Sequence, residues 1–212
     1  MNTQNIFNFK SKPNYEGDNF FISSSNQLAH KILLNNDNPE NCIFLYGPAK
    51  SGKSHLAKLW QKNNKAILFK ENNFKNIMNQ KKNILIEDLK LIFDEEKIFH
   101  TINHVYNNNL KILITSSYFT SEFKFSIKDL SSRIKSFYFI EISQPDDDLM
   151  YHLVIKLLYD KQIRISNDDI LSFILKRINR TYLDIYNFIE KIDKLSLSKK
   201  KQITIPLIKE LL

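Results

Sequence analysis

The chain has 212 residues, 42% of them hydrophobic, with a formal net charge of +8. That is enough to bury a sizeable core, as one large domain or as a domain plus a small appendage. A single cysteine, Cys42, excludes an internal disulfide framework, no apolar run approaches the ~20 residues of a membrane-spanning helix, and residues 1–5 lack a secretion signal's layout.

A soluble cytoplasmic protein is therefore expected. The positive charge permits contact with nucleic acid or an acidic protein, but the basic residues are dispersed along the chain. The densest run, Lys199-Lys200-Lys201, reads as a solvated turn between two helices.

The first segment, Gln4-Asn5-Ile6-Phe7-Asn8-Phe9, places Phe7 and Phe9 at alternate positions, ahead of a linker over residues 10–17. Such a peptide can extend into a partner's groove, with Gln4 hydrogen-bonding, or lie on the protein's own core. Next comes the apolar run 42–46, which leads into Gly47-Pro48-Ala49-Lys50-Ser51-Gly52-Lys53-Ser54 and then a helical stretch beginning at His55. This is a complete G-x-x-x-x-G-K-[ST] phosphate loop in strand–loop–helix context. Its glycines let consecutive N–H groups turn inward at a helix N-terminus. Lys53 is placed to reach the terminal phosphates, and the Ser54 hydroxyl to ligate Mg²⁺. In a chain with three glycines the alternative, an ordinary Gly-Pro turn, is the poorer account.

Further apolar runs at 66–69, 84–86, 112–115 and 137–142 alternate with amphipathic stretches. That pattern predicts an α/β core, a mainly parallel sheet with flanking helices, over residues 18–143. Glu87 and Asp88 close the third run, where a parallel sheet presents its ligand side. Glu87 then suits the metal and Asp88 the attacking water, unless both belong to a solvated turn. At the next strand end, Ser116 or Ser117 either senses a γ-phosphate or caps the following segment. Arg133, in Leu130-Ser131-Ser132-Arg133, either forms a local ion pair or reaches a neighbour's phosphate. From Ser143-Gln144-Pro145 onward the chain reads as helices over 146–160, 168–178, 183–197 and a short one after Thr204, a small all-helical domain over 144–212.

The order of these elements resembles the AAA+ ATPases, and among them the DnaA-related family with its short Hda branch. Residues 18–26 resemble the family segment that lines the adenine pocket, which adds Asn26 to the nucleotide-binding set of Gly47, Pro48, Ala49, Lys50, Ser51, Gly52, Lys53, Ser54 and His55. The resemblance implies ATP or ADP with Mg²⁺ as cofactors, Ser54 and Glu87 as metal-side residues, and Arg133 as an arginine finger. Residues 203–212 are similar to the end of the Hda branch. Gln4, Phe7 and Phe9 resemble the peptide by which that branch binds the DNA polymerase III sliding clamp (beta subunit). The implied function is a regulator that, on DNA-loaded clamp, promotes hydrolysis of DnaA-bound ATP and so represses replication initiation.

Three departures qualify the likeness. Glu87 stands where the family has aspartate, implying weak or absent hydrolysis by the chain itself. Leu183 falls where the helical lid carries an arginine; Arg180, three residues earlier, faces nearly the same way if that stretch is helical. The chain also ends at Leu212 without an origin-reading helix-turn-helix, which favours regulator over initiator and leaves self-association open. The other readings are a nucleotide-gated adaptor without catalysis and a helicase-loader-like ATPase. His100 and His104 have ligand spacing on a helix, but they sit beside Asp94, Glu95 and Glu96 on what reads as a solvated face, so no metal is expected there. Phe7, Phe20, Phe21 and the cluster 137–139 are expected as core or peptide anchors rather than base-stacking platforms.

Overall fold

The computed structural model describes residues 20–35, 40–92, 94–163, 165 and 168–211. The described chain falls into two compact units that divide between Ser143 and Gln144.

In the first unit five strands form one sheet: β1 (Cys42–Tyr46), β2 (Ile67–Leu68), β3 (Ile84–Ile86), β4 (Ile112–Ser116) and β5 (Tyr138–Glu141). Their order is β2-β3-β4-β1-β5, and every pairing is parallel. The inner strands are continuous apolar runs because both of their faces are covered. Expectation and structure differ at the two edges. Only Ile67 and Leu68 pair in the second run, while Phe137 and Ile142 flank β5 and are buried without belonging to it.

Alternate strand residues face opposite layers. Phe44, Ile84, Ile86, Ile112 and Ile114 pack with Ile77 of α3 (Phe74–Met78), Ile98 and Ile102 of α4 (Glu95–Asn107), and Leu130 and Ile134 of α5 (Lys128–Lys135). On the other side α1 (Gln27–Leu34) packs on α2 (Lys53–Asn63), which lies on β3 and β4. β1 sits between β4 and β5, so the loop leaving its C-terminal end opens where the strand order reverses.

The second unit is helical: α6 (Asp147–Asp160), α7 (Asp168–Leu175), α8 (Tyr182–Lys199) and α9 (Ile205–Lys209). Its core joins Val154 and Leu158, Ile170 and Ile174, Ile185 and Ile189, and Ile208. Caps set the helix starts. Asp146 accepts from the Leu149 N–H at 2.8 Å, Thr181 from Asp184 at 3.1 Å, and Thr204 from Leu207 at 3.4 Å. α8 ends at Lys200, in left-handed conformation (φ 51°), and the lysine run there is exposed.

Candidate functional site

The chain leaves β1 at Gly47, whose N–H donates to the Ser116 carbonyl at 3.3 Å. A Cβ on Gly47 would stand 2.5 Å from the Ile142 carbonyl oxygen, so no side chain fits. Gly52 is left-handed (φ 93°), and its missing Cβ would lie 2.8 Å from the Phe20 ring. That ring stacks between His30 and His55, at 5.9 and 5.3 Å between centroids. Phe20 thus covers the loop rather than joining the core, while Phe21 is 40% exposed. Nearby, Asn26 is buried, donating to the Phe21 carbonyl at 2.9 Å and accepting from the Ser23 N–H at 3.0 Å, which fixes the turn before α1.

α2 begins at Lys53, so its first N–H groups and its dipole point into the loop. The Lys53 ammonium is buried and donates to the carbonyls of Gly47 (2.8 Å) and Pro48 (2.6 Å). Burial pushes its pKa down to about 8, against the opposing pull of the Asp88 carboxylate. Ser54 follows on the exposed side of the first turn.

Past β3, Glu87 is half-buried and the backbone turns left-handed at Asp88 (φ 53°). The Asp88 N–H donates to Thr115 Oγ1 at 2.9 Å, tying the acidic strand end to β4. Asp88 Oδ1 is buried and accepts no hydrogen bond among the described residues. A desolvated carboxylate oxygen left in that state is costly, and beside a phosphate loop it suits a cation or an ordered water. Ser54 and Glu87 carry oxygens of the hard type that Mg²⁺ takes. Ser116 is buried, and its Oγ accepts from the Tyr118 N–H at 3.0 Å, so it does shape the segment that follows β4.

Arg133 lies in the last turn of α5 and is exposed. Its guanidinium rests over the Tyr106 ring at 5.0 Å, and among the described residues it forms no ion pair, although Asp129 stands one turn earlier. The Tyr106 hydroxyl meets Ser136 Oγ at 3.1 Å, and that hydroxyl donates to the Arg133 carbonyl at 2.7 Å. At the other end of α5, the Glu95 carboxylate accepts from the N–H groups of Ser126 (2.9 Å) and Ile127 (3.0 Å). The acidic face expected for α4 stays at the surface, with two of its carboxylates engaged. Asp94 caps α4, and Glu95 fastens the start of the arginine-bearing helix.

Comparison with known proteins places this arrangement. The chain is 31% identical over 94% of its length to the chromosomal replication initiator protein DnaA of Buchnera aphidicola subsp. Baizongia pistaciae, covering 50% of that protein. It is 28% identical over 93% of its length to DnaA of Buchnera aphidicola subsp. Cinara cedri, covering 52%. Its fold matches domain III of Thermotoga maritima DnaA with a TM-score of 0.75 at 19% identity, over 96% of this chain and 98% of that one. AMPPCP-bound DnaA from Aquifex aeolicus matches with a TM-score of 0.68 at 19% identity, over 89% of this chain and 67% of that one. Residues 160–212 match the model of the Hda lid domain. By these likenesses the chain is related to the DnaA proteins, and its C-terminal part to the Hda lid. It spans about half the length of the curated relatives it matches.

One feature of this DnaA-related chain departs from expectation. Arg180 precedes the cap Thr181 and lies outside α8, so the helical geometry that would align it with Leu183 is absent. Within the helical unit Arg180 pairs with Asp147 at 3.0 Å. On α4, His104 has its Nε2 against the Gln80 carbonyl at 3.0 Å and its Nδ1 against Asn108 at 3.3 Å, so both nitrogens are engaged. Gln4, Phe7 and Phe9 lie outside the described residues. Sequence reasoning missed Tyr106 and the cover formed by Phe20, which depend on contacts between distant segments.

Replacing Lys53 with Ala removes the buried ammonium from the loop, and nucleotide affinity should fall at least tenfold, ~1.4 kcal/mol. The pH dependence follows from its pKa of about 8. Phosphates favour the charged form, so the bound lysine titrates higher than the free one. Affinity is then full below pH ~8 and falls above it, by up to ~tenfold per unit, as binding must take up a proton. Calorimetry of ADP and ATP binding at pH 7 and pH 9 checks both effects; a mutant with the parent's affinity would contradict the assignment.

Proposed function

We propose that the chain is an Hda-like regulator that binds an adenine nucleotide and acts on ATP held by DnaA. Residues 47–54 hold the phosphates through backbone N–H groups and Lys53. Ser54 and Glu87 hold Mg²⁺, which when bound neutralises phosphate charge, and Asp88 orients water. The Asn26 turn and the Phe20 cover border the same loop and suit the base side of the site.

The observation that carries the regulatory reading is Arg133, exposed and stacked on Tyr106 without an ion pair among the described residues. Arg133 enters the nucleotide site of DnaA and stabilises the charge spreading over the transferring phosphoryl group. Such fingers are worth ~10³–10⁵ in rate. Gln4, Phe7 and Phe9 bring the chain to the DNA-loaded sliding clamp, so that hydrolysis occurs where replication has begun. Substitution of Glu87 for aspartate fits a protein whose own turnover is slow.

Adding this protein with clamp and DNA to ATP-loaded DnaA should speed conversion of the bound nucleotide to ADP. An unchanged rate would favour the adaptor reading, which exposed Leu183 at the lid-arginine position also suits.

A further inference from the structure

Parallel topology gathers the entrances of the strands on the edge of the sheet opposite the phosphate loop. On that edge, the connections entering β2, β3 and β4 lie side by side, at residues 62–66, 79–83 and 107–111. Together they read Lys-Asn-Asn-Lys-Ala, Asn-Gln-Lys-Lys-Asn and Asn-Asn-Asn-Leu-Lys. They hold five lysines and no carboxylate, in a chain with 31 basic and 23 acidic residues. The lysines that look dispersed in sequence are thus brought together by the fold.

Amide side chains lace the three connections. Asn83 Nδ2 donates to the Asn64 carbonyl at 2.9 Å, and its Oδ1 accepts from the Lys111 N–H at 2.8 Å. The Ile84 N–H donates to the Lys111 carbonyl at 2.9 Å. Lys62, Lys65, Lys81 and Lys82 are exposed, and among the described residues none is in an ion pair. Glu87 and Asp88 lie at the opposite end of β3, away from this edge.

We propose that this lysine–asparagine edge is a docking surface for the phosphate backbone of duplex DNA, without base readout. Lysines are mobile point charges and asparagines neutral donors; both contact phosphate without specifying sequence. Aromatic side chains, which single-stranded nucleic acid requires for stacking, are absent from these fifteen residues. Large exposed apolar side chains, which a lipid surface would take up, are absent among them too. The surface lies on a different part of the sheet from the phosphate loop and needs neither DnaA nor the clamp.

Anisotropy of a labelled duplex of ~30 base pairs at low salt tests the surface with the purified full chain alone. The parent should bind two unrelated sequences alike. Combining Lys65→Glu, Lys81→Glu and Lys82→Glu should weaken binding by at least ~tenfold, and the corresponding Gln variant should flatten the log–log salt slope by ~2–3. Lys176→Glu, Lys191→Glu and Lys194→Glu remove the same charge from the helical unit and should leave affinity within ~twofold. Melting temperature and ADP affinity establish that each variant is folded; should the Glu variant not fold, the Gln variant carries the test. The proposal is overturned if the parent does not bind, if the Gln variant keeps the parent's affinity and slope, or if the helical-unit control loses as much. It is also overturned if the edge variants lose binding to phosphatidylglycerol vesicles while keeping the duplex.

Discussion

Replacing Arg133 with Ala is expected to abolish stimulation of DnaA-bound ATP hydrolysis, by ~10³ or more, while nucleotide and clamp binding stay as in the parent. The separation follows from where the residue sits. Arg133 is exposed, it contributes no core volume, and its stacking on Tyr106 is worth only ~0.5–1 kcal/mol at such a site. The fold should therefore lose little, and a thermal melt should register a shift of a few degrees at most. Lys in the same position retains charge but not the planar fork, so Arg133→Lys should recover only a small part of the rate. Equal stimulation by Arg133→Ala and the parent would reduce Arg133 to a surface residue.

The second large effect is expected at the N-terminal peptide. If Phe7 and Phe9 are both buried in a groove of the clamp, replacing them with Ala should cost ~3 kcal/mol. Clamp binding would then weaken more than ~100-fold, with ATP binding untouched. If the peptide instead packs on the protein's own core, the signature reverses: the melting temperature drops, and clamp affinity falls only through unfolding. Surface plasmon resonance on immobilised clamp, beside a thermal melt, separates the two. A folded double mutant that still binds the clamp would remove the partner from the account.

What was legible in the sequence was local. The phosphate loop declares itself because its chemistry fixes residue types at contiguous positions, and the buried strands do so because burial on both faces leaves no room for polar alternation. Asp146 and Thr204 mark helix starts because a cap is satisfied within three residues. The rest depends on pairings that spacing does not encode. Phe20 over Gly52, Tyr106 under Arg133 and Glu95 on Ser126 each join segments about 30 residues apart. Glu95 looked like a solvated helix acid because nothing near it in sequence needs a carboxylate; the two N–H groups that do are brought by the packing of α4 on α5. The lysine edge was hidden likewise, since strand order, not sequence order, sets its neighbours.

The central claim is that this chain acts on another protein's nucleotide. Loading DnaA with ATP carrying one radiolabel and this protein with ATP carrying another, then adding clamp and DNA, follows both nucleotides in a single turnover. The account predicts rapid conversion of the DnaA-bound label to ADP, dependent on Arg133, with the regulator's own label turning over slowly. Hydrolysis confined to the regulator's label, with the DnaA-bound label unchanged, would contradict it.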